Sequence, residues 1–535
     1  MTNLVTNVES VVAEHAEEPA VVYEDHEFSY GEFWAQTGQF AAALREGGAE
    51  PGDRVAIYLP NLPQFVVAFH GALRAGCVIV PMNPQYKSRE ISHLLGDSGA
   101  TTVVALLDLV PFVQQVRDDT DVETVVTVGG EADAGTPFRE FLVADGDDSV
   151  AERADDDVAV QPYTSGTTGQ PKGVQLTHHN LASNARQSMD IMPGGLKPSD
   201  RKIGVLPLFH IYGMTVGMNA TLFAGGTFYP MAAWDAQDAM ALVEDAELTL
   251  FDGVPAMYND IVNQPNAEEF DLSSVRMCTV GGSGIPIEVL RTFEDLYDVE
   301  IYEGYGLTET SPVTHFNSPK WGRRVGSIGK PLDGVDAKVI TGDFEEVDPV
   351  AEGPLDEDEV DMDEVTGELV VAGPNVMKGY AGLPEANREA FTEREGSPGS
   401  EATGTSEDSS SGKKWFHTGD LGYHDEDGYF YVVDRKKHMI NTAGYNVYPR
   451  EVEELLFEHD AVADVAVVGI PDDRRGETVK AFVVKTPDGD ATADELKQFC
   501  LDRLAEYKHP REVEFVEELP RTTTGKVKKF ELVEG

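Results

Sequence analysis

The sequence has few basic residues for its length. Lysine and arginine together number 41, against 95 aspartate and glutamate residues, and the net charge is −54 at pH 7. So negative a chain repels nucleic acids and anionic membranes, and neither is an expected partner. Because acidic residues occur in every region, we interpret them as a solvated surface adapted to high salt, where their repulsion is screened. An acidic interaction surface is the alternative.

Cysteine is scarce as well. The chain has 3 cysteines, and Cys77, Cys278 and Cys500 lie far apart. This spacing excludes a disulfide framework and offers no CxxC pair for a metal site. We expect each cysteine to be a small buried apolar residue rather than a nucleophile.

Long apolar runs are missing too. Residues 1–19 contain acidic residues and lack the basic segment and apolar core of a signal peptide. The most apolar early stretch, residues 65–81, is interrupted by His70, Arg74 and two glycines, so it is too short to span a bilayer. We therefore expect no membrane-spanning segment and a cytoplasmic location.

From about residue 20 to residue 330, short apolar runs alternate with helical patterns. Strands are predicted at 55–59, 77–81, 102–106, 123–128, 158–163 and 277–280, and helices at 33–45, 64–74 and 89–95. Such alternation is typical of βαβ units with mostly parallel sheets, whose ligands bind beyond the carboxyl ends of the strands.

Two later segments break this alternation of strand and helix patterns. Residues 345–364 are strongly acidic and residues 393–413 are rich in Ser, Gly, Thr and Glu, so we predict solvated loops, the second disordered. Strands are then predicted at 428–434, 462–470 and 479–485, and helices at 449–458 and 493–506. We predict an α/β fold: a large N-terminal domain, residues 1–436, with mostly parallel sheets flanked by helices, and a small α+β C-terminal domain, residues 437–535.

A run of small residues follows the strand that is predicted to end near Tyr163. Residues 164–173 read TSGTTGQPKG, and their backbone N–H groups and hydroxyls can hold phosphate oxygens. Lys172 adds a positive charge. The loop is not a Walker A motif, because Gly173 stands where that motif needs serine or threonine. We interpret it as a phosphate-binding loop, with a flexible surface loop as the alternative.

Six further short motifs lie along the chain. They are GGSG at 281–284, YEGYGLTET at 302–310, HTGD at 417–420, DRKK at 434–437, NTAGYN at 441–446 and PRTTTGK at 520–526. Together with the phosphate-binding loop, they resemble the core motifs of the adenylate-forming (AMP-binding) superfamily, which contains acyl-CoA synthetases, nonribosomal-peptide adenylation domains and beetle luciferases. The resemblance covers nearly the whole chain and favours the acyl-CoA synthetase branch with its fatty-acid–CoA ligases. Asn441 argues against luciferase chemistry, because many luciferase-like members have lysine there.

The resemblance implies an ATP site. Tyr305 would stack on adenine, Thr308 would contact the α-phosphate, and Glu309 would bind Mg²⁺. Asp420 and Arg435 would bind the ribose. The other nucleotide-binding positions that it implies are Thr164, Ser165, Gly166, Thr167, Thr168, Lys172, Gly282, Glu303 and Gly304.

The resemblance also implies a moving C-terminal domain. Lys437 matches the hinge between the two domains, and Gly444 matches the glycine that lets the pantetheine arm of coenzyme A pass. Lys526 matches the mobile catalytic lysine that bridges the substrate carboxylate and the α-phosphate. The implied substrates are a small carboxylic acid, ATP and coenzyme A, with Mg²⁺ as cofactor.

The acyl site is predicted from residues 207–214, PLFHIYGM, whose His210 resembles the histidine that lines the acyl and thiol channels. Candidate pocket walls are Tyr212, Met214, Met218, Phe251 and Val254. We see no counter-charge for a polar amino-acid substrate in these runs. We therefore expect an apolar acid, with a medium- or long-chain fatty acid first and an aryl or aryl-propenoic acid second.

Two other functions stay open at this point. A free-standing adenylation enzyme would load the acyl group onto a separate carrier protein, since we expect no fused carrier before Gly535. A nucleotide-binding sensor would have lost catalysis, although Glu309, Asp420, Arg435 and Lys526 are all present.

Overall fold

The three-dimensional structure is a computed structural model. It describes residues 3–130, 135–142, 146, 149–165, 171–191, 194–355, 360, 362–394, 413–436, 438–442, 445–472, 474–487, 489–504, 506–522 and 527–533.

Helices and strands alternate through most of these ranges. The α-helices are α1 (Thr6–His15), α2 (Tyr30–Glu46), α3 (Pro63–Ala75), α4 (Ser88–Ser98), α5 (Val110–Val116), α6 (Phe138–Phe141), α7 (His178–Asp190), α8 (Ala220–Phe223), α9 (Ala236–Asp245), α10 (Pro255–Val262), α11 (Ile287–Tyr297), α12 (Met362–Val365), α13 (Pro384–Ala390), α14 (Pro449–Phe457), α15 (Ala493–Leu501) and α16 (Lys529–Val533).

The strands belong to four sheets within the described ranges. They are β1 (Pro19–Tyr23), β2 (His26–Ser29), β3 (Arg54–Tyr58), β4 (Val78–Pro81), β5 (Ala100–Leu106), β6 (Thr124–Val128), β7 (Thr136–Pro137), β8 (Val158–Val160), β9 (Tyr163–Ser165), β10 (Pro171–Thr177), β11 (Arg201–Gly204), β12 (Thr227–Pro230), β13 (Leu250–Gly253), β14 (Met277–Val280), β15 (Ile301–Gly306), β16 (Val313–Phe316), β17 (Lys330–Pro331), β18 (Asp336–Ile340), β19 (Gly367–Ala372), β20 (Gly379–Tyr380), β21 (Phe391–Arg394), β22 (Lys413–His424), β23 (Phe430–Arg435), β24 (Ile440–Thr442), β25 (Tyr445–Val447), β26 (Val462–Asp472), β27 (Gly476–Lys485) and β28 (Glu512–Phe515).

Two large sheets are mostly parallel. The first has the order β17-β16-β15-β14-β13-β11-β12-β1-β2, and only its outer strands β2, β16 and β17 pair antiparallel. The second has the order β20-β10-β8-β4-β3-β5-β6-β7, with β9 added to β10, and is antiparallel only around β10. Parallel strands require crossover connections, and helices supply most of them here.

The third and fourth sheets are mostly antiparallel. The third has the order β18-β19-β22-β21, with β23 on β22. The fourth has the order β25-β24-β27-β26, with β28 parallel to β27. The fourth sheet and helices α14–α16 form what we call the C-terminal unit, which has its own apolar core. The predicted fold class, a large α/β part and a smaller part, is confirmed.

Helix α3 contains most of the apolar stretch 65–81, including His70 and Arg74, and the end of the stretch forms β4. Arg74 is fully buried, donates to the Trp34 carbonyl at 2.7 Å and to Thr37 Oγ1 at 3.0 Å, and stacks on the Trp34 ring. Burial lowers the pKa of His70 to about 4, so this residue is neutral at pH 7. The helical part of the stretch is thus a core helix, and the Arg74 guanidinium finds two acceptors inside it. Within the described ranges, no helix combines the length and the apolar character needed to cross a bilayer.

The cysteine prediction is confirmed. Cys77, Cys278 and Cys500 all lie in the described ranges, and all are buried and unpaired. Burial raises the pKa of the Cys77 and Cys500 thiols to about 12. Such thiols carry almost no thiolate at pH 7 and are poor nucleophiles.

Three sequence predictions need correction. The strand predicted at 158–163 is two strands, β8 and β9, which both pair with β10. The helix predicted at 493–506 ends at Leu501, where α15 stops. The predicted loop at 393–413 is strand at both ends, because Glu393 pairs with Lys414 and Arg394 with Lys413 in the third sheet. Residues 395–412 lie outside the described ranges.

Candidate active site

The carboxyl ends of neighbouring parallel strands open into one large cavity of about 970 Å³. The strands β11, β13, β14 and β15 lie side by side in the first sheet. The residues that follow them line the cavity: Leu206 after β11, Val254 after β13, Gly281 and Gly282 after β14, and Leu307 after β15. The cavity therefore lies where a ligand is expected in a sheet of this kind.

The predicted phosphate-binding loop joins β9 to β10. Lys172 is the strand partner of Thr164 in this hairpin, and both residues line the large cavity. Ser165 pairs with Pro171 through the backbone. Gly166, Thr167 and Thr168 lie outside the described residues.

The next two predicted residues, Thr308 and Glu309, sit on a single turn of 3₁₀-helix and also line the large cavity. The turn is held by the segment that follows β19. Asn375 Nδ2 donates to the Thr310 carbonyl at 2.9 Å, and the Met377 N–H donates to the Glu309 carbonyl at 2.8 Å. These contacts fix the backbone of the turn, which leaves the Thr308 and Glu309 side chains to the cavity.

Tyr380 in β20 connects the turn to the phosphate-binding loop. Its hydroxyl donates to Glu309 Oε1 at 2.9 Å, and Lys172 Nζ lies 5.1 Å from the centroid of its ring. Burial and the nearby Glu309 charge raise the pKa of Tyr380, so its hydroxyl keeps its proton at pH 7. Sequence patterns do not single out Tyr380, because the short strand β20 reaches the site only by pairing with β10.

A smaller cavity of about 330 Å³ adjoins the large one and shares several wall residues with it. It collects six of the predicted nucleotide-binding residues. These are Gly282, Glu303, Gly304, Tyr305, Asp420 and Arg435.

A buried carboxylate joins the two sides of the smaller cavity. Asp420 is the register partner of Arg435 in the hairpin of β22 and β23, and its Oδ1 lies 2.9 Å from Arg435 Nε. The Tyr305 hydroxyl donates to Asp420 Oδ2 at 2.5 Å. Burial, with the Asp420 charge, raises the pKa of Tyr305 well above its usual value, so the hydroxyl stays a donor. The motifs around residues 305, 420 and 435 thus meet in one hydrogen-bonded group.

Glu303 is a second buried carboxylate in this cavity. Burial raises the pKa of Glu303 to about 7, while the Arg450 charge opposes this rise and the Glu454 charge adds to it. The glutamate is therefore near its titration midpoint at neutral pH.

The apolar end of the large cavity holds part of the predicted acyl site. His210, Tyr212 and Val254 line it, with Leu206, Phe209 and Val216. Met214, Met218 and Phe251 do not line it, which corrects the prediction for these three. Met214 and Met218 are buried on a π-helix, Gly213–Asn219, and pack into the main core, while Phe251 packs in a second core.

A buried ion pair lies behind this wall. Lys202 Nζ is 2.6 Å from Asp252 Oδ2, and both side chains are almost fully buried. Thr279 Oγ1 donates to Asp252 Oδ1 at 2.7 Å, so the Tyr212 hydroxyl, 2.8 Å away, must donate to Thr279. Lys202 also donates to the Val216 carbonyl at 3.0 Å. Because the two charges neutralise each other, they offer no counter-charge to a substrate.

The C-terminal unit closes the cavity on another side. Arg521, Thr522, Lys528 and Phe530 line the large cavity. Lys526 belongs to the same stretch of chain but lies outside the described residues, as do Lys437 and Gly444.

The side chains of the cavity fit a magnesium ion that is held mainly by substrate phosphates. Mg²⁺ is commonly bound by one or two carboxylates together with substrate phosphates. Glu309 presents a carboxylate to the cavity on the side of the phosphate-binding loop. Within the described ranges, no group of three or more His, Cys, Asp or Glu side chains is placed to hold a metal alone.

The chain is similar to known proteins over most of its length. The sequence profile of the AMP-binding enzyme family matches residues 8–381, and that of the AMP-binding enzyme C-terminal domain matches residues 451–526. A long-chain-fatty-acid–CoA ligase of Bacillus subtilis (strain 168) is 34% identical, over 98% of this chain and 92% of that protein. A feruloyl-CoA synthase of an Amycolatopsis species is 35% identical, over 94% and 93%. The solved structure of ATP-bound MatB from Rhodopseudomonas palustris has a TM-score of 0.87 at 30% identity, covering 100% of this chain and 99% of that one.

The family profile spans most of the chain, the similar proteins align over nearly its whole length, and the described motif residues surround two adjoining cavities. This chain therefore belongs to the AMP-binding enzyme family.

Proposed function

We propose that the protein is an ATP-dependent acyl-CoA ligase. A carboxylic acid and ATP give an acyl-adenylate and pyrophosphate, and the acyl-adenylate and coenzyme A then give an acyl-CoA thioester and AMP. The observation that carries the proposal is the convergence of Lys172, Thr308 and Glu309 with an apolar wall in one cavity. The names of the similar ligase and synthase proteins support it.

ATP would span both cavities. Its adenine would stack on Tyr305 beside Gly282, and its phosphates would reach Thr164, Lys172 and Thr308. Its ribose hydroxyls would donate to Asp420. A carboxylate offers about four lone-pair sites, so Asp420 can accept from the ribose while it keeps Tyr305 and Arg435.

The first step needs no protein nucleophile. A carboxylate oxygen of the acid attacks the α-phosphorus, its new P–O bond forms as the bond to pyrophosphate breaks, and the chain supplies position and positive charge. Lys172 would hold the phosphates, and Lys526 would bridge the two approaching anions. Glu309 would hold Mg²⁺, which when bound neutralises phosphate charge.

In the second step the thiol of coenzyme A attacks the acyl carbonyl and AMP leaves. His210 would line the path of the thiol, and Gly444 would let the pantetheine arm pass. We propose that residues 437–535 rotate about Lys437 between the steps, which removes Lys526 and admits the thiol. The two family profiles leave residues 382–450 between them, and the proposed hinge falls in this interval.

The acid is proposed to be a medium- or long-chain fatty acid. The wall formed by Leu206, Phe209, Val216 and Val254 is apolar, and one similar protein is a long-chain-fatty-acid–CoA ligase. The second candidate is an aryl or aryl-propenoic acid. The aromatic ring of Tyr212 at the wall favours it, as does the similarity to a feruloyl-CoA synthase.

The test is pyrophosphate release measured across fatty and aryl acids with ATP, Mg²⁺ and coenzyme A. We expect release with at least one class and formation of the matching thioester. Lys526→Ala should abolish release while ATP binding is retained. No release with any monocarboxylic acid would refute the proposal and favour a nucleotide-binding sensor that has lost catalysis. Faster transfer to a phosphopantetheinylated carrier protein than to coenzyme A would favour the carrier-loading reading.

Two further properties are proposed. The proposed substrates ATP and coenzyme A, with three buried unpaired cysteines, support a cytoplasmic location, which cell fractionation would test. The net charge of −54 supports adaptation to high salt.

A further inference from the structure

Arg450 reaches from the C-terminal unit into the wall of the smaller cavity. It is the second residue of α14, and its backbone N–H donates to Asp434 Oδ2 at 3.3 Å. Its Nη1 donates to the Val432 carbonyl at 3.3 Å. Both partners belong to β23, so this one residue makes two contacts with the third sheet.

The guanidinium of Arg450 also packs on the loop after β14. A Cβ at Gly284 would overlap its Cζ and both of its terminal nitrogens, so a side chain there would displace it. Glu303 of β15 lines the same cavity, and the positive charge of Arg450 acts on its carboxylate. Glu454, one turn along α14, fixes the orientation of the fork by accepting from Arg450 Nε at 2.8 Å.

The helix that carries Arg450 is tied to the segment of the predicted catalytic lysine. Lys529 Nζ lies 2.7 Å from Glu453 Oε1 on α14. Thr522 and Lys528, on either side of Lys526 in the chain, line the large cavity. A contact that fixes α14 against the smaller cavity therefore also helps to hold this segment at the large cavity.

We propose that Arg450 is a positioning residue that locks the C-terminal unit in the orientation used for adenylate formation. It would act through its fit on Gly284 and its contacts with β23, and it would not touch the reacting atoms. The inference rests on the proposed function, in which the thioester step uses a different orientation. Loss of Arg450 should therefore harm the first step and spare the second.

The experiment compares Arg450→Met with wild type in the two half-reactions. Adenylate formation is followed by acid-dependent ATP–pyrophosphate exchange, and thioester formation by adding the synthetic acyl-adenylate and coenzyme A. We expect Arg450→Met to slow exchange about tenfold or more, since it removes the hydrogen bonds of the guanidinium to the Val432 carbonyl and to Glu454 together, and to change thioester formation less than about threefold. Arg474→Met, at an exposed position of the same unit, is the matched control and should change neither rate.

Gly284→Ala tests the contact from the opposite side, with Arg450 intact. Its methyl group should displace the guanidinium and slow exchange. In the Arg450→Met background the shorter, flexible side chain can yield, so the same substitution should add less than about a twofold loss. If the two losses multiply, Gly284 acts on the nucleotide directly and the proposed contact is refuted.

The possible results distinguish a failure of the positioning role from a failure of the proposed function. A wild-type protein without exchange for any acid refutes the proposed function. A wild type with exchange, but an Arg450→Met variant that loses both half-reactions equally or neither, refutes the positioning role. Urea unfolding of each variant shows whether a loss comes from general destabilisation, which would lower both rates together.

Discussion

At the scale of single residues, Tyr380 joins the two halves of the proposed phosphate site. It donates to Glu309 and lies beside Lys172. A carboxylate that must bind Mg²⁺ needs a fixed orientation, and a neutral donor supplies it without cancelling its charge. Tyr380 therefore orients the proposed metal ligand rather than the substrate.

Tyr380→Phe should lower kcat/KM for pyrophosphate release about tenfold, because a hydrogen bond to a charged group contributes roughly 1.5–3 kcal/mol. The Mg²⁺ concentration for half-maximal rate should rise. Tyr297→Phe is the control, since Tyr297 donates to the Ala267 carbonyl away from the site and should keep both values. An unchanged rate and an unchanged Mg²⁺ dependence in Tyr380→Phe would show that Glu309 needs no such support.

Glu303 predicts a dependence of stability on pH. Its pKa is raised by burial from 4.5 in the unfolded chain to about 7 in the folded protein. The folded state then holds its proton more tightly, so the stabilisation is complete below pH 4.5 and is lost as the pH rises through about 7.

Glu303→Gln should remove this contribution. The difference in unfolding free energy, wild type minus variant, should fall between pH 4.5 and 7 and then level off. Urea unfolding at several pH values measures it, and the difference cancels the other carboxylates. A difference that stays flat over this range would mean that Glu303 titrates at its ordinary pKa.

At the scale of elements, one ion pair ties together the strands beneath the acyl wall. Lys202 of β11 and Asp252 of β13 pair in the sheet interior, and Thr279 of β14 extends the contact to Tyr212. Charges this deeply buried are costly unless they are paired and hydrogen-bonded. The pair therefore fixes the wall behind Tyr212 as long as both partners are present.

Asp252→Asn should destabilise the protein by about 3–5 kcal/mol, because it leaves the buried Lys202 charge unpaired. Urea unfolding is the suitable measurement, since urea adds no ionic screening. Glu247→Gln, which breaks the exposed Arg201–Glu247 contact, should cost less than about 1 kcal/mol. The double variant Lys202→Met/Asp252→Asn should recover part of the loss, and a double variant as unstable as Asp252→Asn would contradict this account.

At the scale of the whole molecule, the main feature is the large negative net charge. A net charge of −54 on one chain repels itself, and the repulsion weakens as salt shortens the screening length from about 10 Å at 0.1 M to about 3 Å at 1 M. Some positive side chains, such as Arg74 and Lys202, are buried. They therefore do little to balance the negative charge of the surface.

The protein should melt at least about 5 °C higher in roughly 2 M KCl than in about 0.1 M KCl. Differential scanning calorimetry measures the change, with matched glycerol as a non-ionic control that should not reproduce it. Full stability without added salt would contradict adaptation to high salt.

The contrast between prediction and structure is clearest in the acyl wall. Tyr212 and Val254 line the cavity as predicted, whereas Met214 and Met218 face the core. These candidates are apolar or aromatic residues near the predicted acyl site, and apolar character alone does not distinguish a pocket wall from a core residue; Met214 and Met218 lie on a π-helix and are buried. The strands β3 to β6 agree with prediction within about two residues, because their apolar runs are local signals.

The sequence by itself determined the α/β class, the buried cysteines, the negative surface and the motifs that line the two cavities, because composition and short motifs are local properties. The tertiary structure alone decided which distant residues meet. It brought Tyr380 to Glu309, Lys202 to Asp252, and Arg450 to Gly284. These contacts depend on strand order and on the docking of the C-terminal unit, and no spacing along the chain encodes either directly.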